Sequence, residues 1–243
     1  MIKEPYYLAY EKRYKTVYEA GADHWGHSPD DEVLYETLKS WVNSNNLKGK
    51  RIIEFACGEG ACGVILSKLG CKYHGVDISP TAVQKAREVL SDYKDATVDV
   101  FDMVKNTIAE EYDAALDCMG FHMLVTDNDR NTYLKNAYNA LTKGAPMLFI
   151  RESYRTENVY KGVVHSFEEW KAISKTDYDT PELRRTKTDN GEVEVLIPLL
   201  PARANDRDGY IAEMERAGFV VEEFREGDKS SNFQFSASIF VRK

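Results

Sequence analysis

No stretch of this 243-residue chain approaches the roughly 18 consecutive apolar residues of a membrane helix, so no membrane span is expected. Met1 to Tyr10 carry neither an apolar core nor a cleavage pattern, and no secretory leader is read there. Cysteine is scarce. The four present, Cys57, Cys62, Cys71 and Cys118, lack a disulfide framework and paired zinc-type spacing, so reduced thiols in a cytoplasmic protein are expected. Basic charge is also short: 32 Lys and Arg stand against 40 Asp and Glu, a net −8. Binding through phosphates needs clustered Lys and Arg to release counterions, so no nucleic-acid partner is expected. His24 and His27 are spaced H-x-x-H, but the other histidines, His74, His122 and His165, lie far along the chain. A metal site needs three or four ligands, and none is expected. No internal repeat or low-complexity tract stands out.

What is present is an ordinary globular composition, 43% apolar, enough for a sizeable core in one α/β domain with a modest insertion. Tyr7, Tyr10, Tyr14 and Tyr18 recur at three- and four-residue spacing and share a helical face. Ser28-Pro29-Asp30-Asp31 reads as a helix start with Ser28 as N-cap, and Val33, Leu34, Leu38, Trp41 and Val42 follow at helical spacing. Strands are expected at Arg51–Ala56, 72–77, 97–101, 112–117 and 146–151. Between them fall helices over about 61–69, from the Ser79-Pro80 cap to Leu90, and from Thr126 to a stop at Gly144. Strands alternating with helices imply a parallel sheet with right-handed crossovers. After a helix closing at Gly218, Phe219–Phe224 and Phe233–Val241 read as two strands with no helix between them, an antiparallel hairpin at the sheet edge.

Residues 152–205 break this rhythm. They hold a helical piece near Phe167–Ile173, a charged stretch 175–192 and a strand-like run Val193–Leu199. We read them as an insertion beside the mouth of the sheet, where long insertions are often lids or binding loops.

Gly58-Glu59-Gly60-Ala61-Cys62-Gly63 follows a strand, opens a helix and spells G-x-G-x-x-G. Glycines there permit a sharp turn and close ligand approach. Asp77, 19 residues after Gly58, ends the second strand, where a carboxylate can accept both ribose hydroxyls of an adenosine. Nicotinamide enzymes and methyltransferases share both features. Glu54 and Glu59 separate them: fixed anions oppose a pyrophosphate at the helix N-terminus, but suit a ligand bearing a sulfonium and an ammonium.

Glu54-Phe55-Ala56-Cys57-Gly58-Glu59-Gly60 resembles the first motif of class I S-adenosylmethionine-dependent methyltransferases. Val76-Asp77-Ile78-Ser79 is similar to their ribose-binding motif, and Phe101-Asp102-Met103 to their adenine-contacting position. Asp113 to Asp117 with Phe121 to Leu124 resembles the fourth-strand motif, and Leu141 to Gly144 the turn before the fifth strand. The likeness covers about 50–150 and the final hairpin. It implies a three-layer α/β sandwich around a mostly parallel seven-stranded sheet, ending in an antiparallel edge hairpin. It also implies a helical cap over the cofactor site at 1–46 and a Rossmann-like domain at 47–243.

By position, Glu54 would hold the methionine ammonium, with Ala56, Cys57, Gly58 and Gly60 in the turn beneath. Asp77 would bind the ribose, Ile78 would pack on the adenine, and Asp102 would accept from its amino group with Met103 beside it. Tyr14 and Tyr18 are candidates for the cofactor carboxylate, and Asp117 for the ammonium or the transfer site. His122 is the candidate base, with Trp25, His122, Arg151 and Tyr154 for the substrate. The implied reaction is in-line methyl transfer from S-adenosylmethionine, leaving S-adenosylhomocysteine, to an O, N or S atom of a small molecule. A monomer or homodimer is expected. A protein or RNA methyltransferase is the alternative. The acidic total and the absence of an Asn-Pro-Pro-Tyr-type motif at Asp117-Cys118-Met119-Gly120 speak against it. An NAD(P)-dependent oxidoreductase is the third reading.

Overall fold

The computed structural model describes residues 4–157, 160, 162–188, 191–227 and 233–243. Seven strands form one sheet in the order β3-β2-β1-β4-β5-β9-β8. Their ranges are β1 Arg51–Phe55, β2 Lys72–Asp77, β3 Ala96–Val100, β4 Ala114–Cys118, β5 Pro146–Ser153, β8 Val220–Glu226 and β9 Ser236–Arg242. The first five run parallel, and β9 is antiparallel to both β5 and β8. The expected edge hairpin is present, and the sheet is three-layered because both its faces are covered.

Alternation along the strands decides what each face buries. Ile53, Phe55, Ala115, Met147 and Phe149 point to one side, against Tyr133, Leu134 and Ala137 of α5 (Asp127–Asn139) and Tyr210 and Met214 of α7 (Arg207–Ala217). Ile52, Ala114, Leu116, Leu148 and Ile150 point to the other. There they meet α2 (Glu32–Ser44), α3 (Ala61–Lys68) and α4 (Pro80–Val89) through Leu38, Trp41, Ile65, Leu66, Val83 and Ala86.

Helix starts follow side-chain capping. Ser79 and Thr126 accept from the amides of Ala82 and Asp129, as their positions imply. Ser28 does not cap α2. Asp31 takes that place, accepting from Leu34 N, so the helix begins three residues beyond the Ser-Pro pair. Gly144 does not close α5 either. The helix stops at Asn139 with Ala140 as its cap, and Gly144 turns the chain into β5 at φ 77°. The fourth strand starts at Ala114 rather than residue 112, because Tyr112 makes only an isolated bridge to Leu141.

Within 152–205 the structure holds α6 (Phe167–Ser174) and an antiparallel pair, β6 (Glu182–Thr188) and β7 (Gly191–Ile197). The charged stretch 175–192, in which the sequence signals no strand, supplies β6. Residues 158–159, 161 and 189–190 of that segment lie outside the described residues. Val195 and Ile197 bury themselves against Val17 of α1 (Ala9–Glu19) and Ala22, so the pair packs on the N-terminal helix. Among the described residues, no helix is long and apolar enough to cross a membrane.

Candidate active site

A cavity of about 600 Å³ opens where β1, β2 and β4 end, the position at which open α/β sheets bind ligands. Two non-glycine residues with left-handed backbone stand at strand ends around it, Ala56 (φ 53°) and Met119 (φ 65°), and a third, Arg151 (φ 59°), lies within β5. Each costs on the order of 1–3 kcal/mol and persists only where its surroundings over-determine it.

The glycine turn forms the floor. A Cβ at Gly58 would sit 2.8 Å from the Tyr14 hydroxyl, so α1 stands directly over the turn. Gly58 N donates to Asp77 Oδ2 and Ser79 N to Oδ1, both at 2.8 Å, which orients the Asp77 carboxylate at the tip of β2. Burial pushes the Asp77 carboxyl above its ordinary value, against the pull of those amides. Glu54 is 1% exposed and accepts from the Tyr73 hydroxyl. Burial pushes its carboxyl well up. No Lys or Arg among the described residues forms a salt bridge to Glu54 or Asp77. Two buried carboxyls on one cavity wall without a cation favour a positively charged ligand over a phosphate.

Beyond Asp77, the side chains of Ile78, Phe101 and Met103 make an apolar slot with Asp102 at its rim. Asp102 Oδ1 accepts from the amides of Val104 and Lys105 at 3.0 Å, and Tyr7 donates its hydroxyl to the carboxylate at 3.2 Å. His122, 6% exposed, also lines the cavity and places Nδ1 2.9 Å from Glu152 Oε2. Tyr14, Trp25, Ala56 and Cys57 also line the cavity. Cys57 is buried and its thiol is pushed well up, so it acts as wall.

Residues 53–147 match a family model described as a methyltransferase domain. The chain carries a methyltransferase domain. Among solved structures it is similar to an S-adenosylmethionine-dependent methyltransferase from Clostridium acetobutylicum (TM-score 0.66, 16% identity, 97% of this chain and 98% of that one). It also resembles an S-adenosylmethionine-bound amino pentose methyltransferase from Micromonospora echinaspora (TM-score 0.62, 16% identity, 100% and 99%). At that identity the likeness establishes a shared class I fold. A ribosomal protein L11 methyltransferase of Photorhabdus laumondii is 43% identical over 49 residues, 20% of this chain. The chain matches 17% of that relative's length.

Not every residue singled out in the sequence reaches the methyltransferase cavity. Asp117 lies beneath it, fully buried, accepting from the Tyr133 hydroxyl and from Gly120 N and Phe121 N. Gly60 is the N-cap of α3, packed against Ala86 and Leu90. Tyr18 donates to Glu59 instead of facing the cavity. Arg151 is held outside by Asp31 (2.7 Å) and His27 Nδ1 (3.0 Å). Tyr154 is further away, donating to Glu226 on the edge strand.

Other roles are not legible in the sequence. Glu59 accepts from the amides of Trp25 (2.8 Å) and Gly26 (2.6 Å) and so ties the N-terminal segment to the glycine turn. Arg184 of β6 and Leu199 and Leu200 after β7 reach the cavity mouth. Their only signal in the sequence was membership of the inserted segment. Among the described residues, no group of three or more His, Cys, Asp and Glu is placed to hold a metal ion.

Proposed function

We propose that this protein transfers a methyl group from S-adenosylmethionine to an O, N or S atom of a small molecule. The observation that carries the reading is the pair of uncompensated carboxyls, Glu54 and Asp77, on the wall of a cavity floored by the Gly58 turn. S-adenosylmethionine brings a methyl carbon already activated by a sulfonium. The residues present fit it: Glu54 for the ammonium, Asp77 and the Gly58 turn for the ribose, Ile78, Phe101 and Met103 for the adenine. Tyr14 is the candidate for the carboxylate: its hydroxyl stands over Gly58 and forms no hydrogen bond among the described residues.

The chain's task is then positional, since holding nucleophile, carbon and leaving group in line supplies much of the acceleration. In this reading residues 1–46 cap the cofactor through Tyr14 and Trp25. The segment 152–205 supplies the acceptor side through Arg184 and Leu199, and His122 faces the acceptor. About 600 Å³ is within the range of small-ligand pockets. The short match to a ribosomal protein methyltransferase supports a second reading, a protein substrate. Titration calorimetry with S-adenosylmethionine and S-adenosylhomocysteine tests the cofactor. Absence of binding, or equal binding by Asp77→Ala, sinks the proposal. Methylation of ribosomal protein but of no small molecule would favour the second reading.

A further inference from the structure

His122 and Glu152 meet because β5 is irregular. Its register with β9 shifts between Phe149 and Glu152, and Arg151 between them is left-handed. A bulge re-aims the side chains around it. Arg151 turns to Asp31, and Glu152 turns to His122. Glu152 is wholly buried. Its Oε2 accepts from His122 N at 2.7 Å and bonds Nδ1 at 2.9 Å, and its Oε1 has no partner. Arg130 is not available to Oε1, since Glu213 takes its Nε and Nη2 at 2.7 Å each. Asp117 on the adjoining strand is a buried acid beside Glu152, and burial, then the charge of Glu152, push the Asp117 carboxyl well up. Oε2 of Glu152 is the acceptor in the pair with His122, since it takes the His122 amide.

With Oε2 accepting, Nδ1 of His122 donates to it and Nε2 carries the lone pair. Nε2 has no hydrogen-bond partner among the described residues, and His122 lines the cavity. The surrounding wall is apolar. Met123 and Leu124 follow His122, and Arg203 N, donating to the His122 carbonyl at 2.7 Å, brings Leu199, Leu200 and Ala202 alongside.

We propose that Glu152 holds His122 as a general base, and that the acceptor is a hydroxyl on a largely apolar body. This rests on the methyl-transfer reading above. The acceptor's O–H proton passes to Nε2 of His122. An oxygen lone pair forms the bond to the methyl carbon while the carbon–sulfur bond breaks and its electron pair stays on sulfur. The imidazolium so formed faces the Glu152 carboxylate. Such a base matters most for a hydroxyl. A thiol with a pKa near 8.5 is already partly ionised at neutral pH, whereas a phenol with a pKa near 10 is only about one part in a thousand ionised. A neutral amine brings its own lone pair. Glu152 touches no reacting atom; it is a positioning residue.

The test uses the full chain labelled with 15N-histidine, with His122 assigned by its loss in His122→Asn. The unmodified protein should show the Nδ1–H tautomer. Glu152→Leu removes the acceptor that Nδ1 faces, and the preference for Nδ1–H should be lost. Turnover should fall by about 10²–10⁴-fold, the range of a general base, with the KM for S-adenosylmethionine unchanged. Glu152→Asp should restore the tautomer and part of the rate. The acceptor probes are 2-naphthol, 2-naphthalenethiol and 2-naphthylamine. 2-Naphthol should be methylated fastest and be most sensitive to His122→Asn. An Nε2–H tautomer in the unmodified protein, or full turnover in Glu152→Leu, overturns the dyad. Preference for the thiol or amine, or turnover of none of the three, overturns the acceptor class. Failure to bind S-adenosylhomocysteine is a separate result, and sinks the methyl-transfer reading instead.

Discussion

Glu59 holds the N-terminal segment down, and removing it should open one wall of the cavity while leaving the sheet intact. Its buried carboxylate takes the amides of Trp25 and Gly26, and Tyr18 from α1 donates to it as well. Hydrogen bonds to a charged group contribute about 1.5–3 kcal/mol each. The low end applies, because both amides reach water once the segment lifts. Two such bonds then favour the closed state by about 3 kcal/mol, or about 150-fold. Glu59→Ala should lose that factor. Glu59→Gln keeps one acceptor oxygen, turns an NH2 toward the other amide, and should lose about tenfold. Tyr14, Trp25 and Gly26 line the cavity, so the affinity for S-adenosylhomocysteine should fall in the same order. Hydrogen exchange followed by mass spectrometry reads this directly, through faster exchange in peptides spanning 9–27 with β1, β4 and β5 unchanged. If those peptides keep their protection in Glu59→Ala, or if exchange accelerates throughout the chain, the tether does not work as described.

Glu54→Gln separates stability from binding. Burial raises the folded-state pKa of Glu54 above its ordinary 4.5, so the folded chain holds that proton more tightly than the unfolded one. The cost of ionising it therefore begins above about pH 4.5 and grows until the raised pKa is passed. Thermal melts of the cofactor-free protein should show Glu54→Gln more stable than wild type at mildly alkaline pH, with the gap closing toward acid. S-adenosylmethionine affinity should fall by at least about tenfold, the worth of one charged hydrogen bond. Calorimetry in buffers of different ionisation enthalpy should show wild type releasing protons on binding and the variant releasing fewer. Arg130 and Glu213 form a doubly bonded buried pair between α5 and α7. Arg130→Met leaves a buried carboxylate alone and should cost about 3–5 kcal/mol, lowering the melting temperature by about 10 °C. Adding Glu213→Met should recover most of the loss. If the double variant melts no higher than the single, lost packing rather than the stranded charge explains the effect.

The parallel core was legible because its strands are buried on both faces and end in chemistry. The Gly58 turn and Val76-Asp77 announce where β1 and β2 stop, and the continuous buried run Ile52–Phe55 suits a parallel strand covered on both sides. The inserted segment was harder. β6 is Glu182-Leu183-Arg184-Arg185-Thr186-Lys187-Thr188, half of a two-stranded ribbon with little to bury. Without an apolar face the main strand signal is missing, and the charges read as loop. Its partner β7 shows Val193, Val195 and Ile197 in alternation because that side meets α1. The helix cap at 28–31 failed for another reason. Ser28 and Asp31 are both good caps in isolation. Asp31 is chosen together with its ion pair to Arg151, a partner 120 positions away that a β-bulge delivers.

The acids around the cavity show where spacing stops being informative. Glu54 and Asp117 each sit within the carboxyl half of a parallel strand, and each reads as a ligand acid. In the sheet Glu54 pairs with Leu116, and Phe55 pairs with Asp117. Side chains alternate between faces, so a register offset of one residue sends two acids at the same height to opposite sides. Glu54 goes with Leu116 to the face that holds the glycine turn, and meets the cavity. Asp117 goes with Phe55 to the face covered by α5, where Tyr133 receives it. Nothing local to Asp113–Asp117 encodes that register. It follows from Ile52 pairing with Ala114 and Ile53 with Ala115, contacts across more than sixty residues. An acid that reads as a cofactor ligand is thereby spent inside the α5 face, while Glu54 one register step away keeps the cavity.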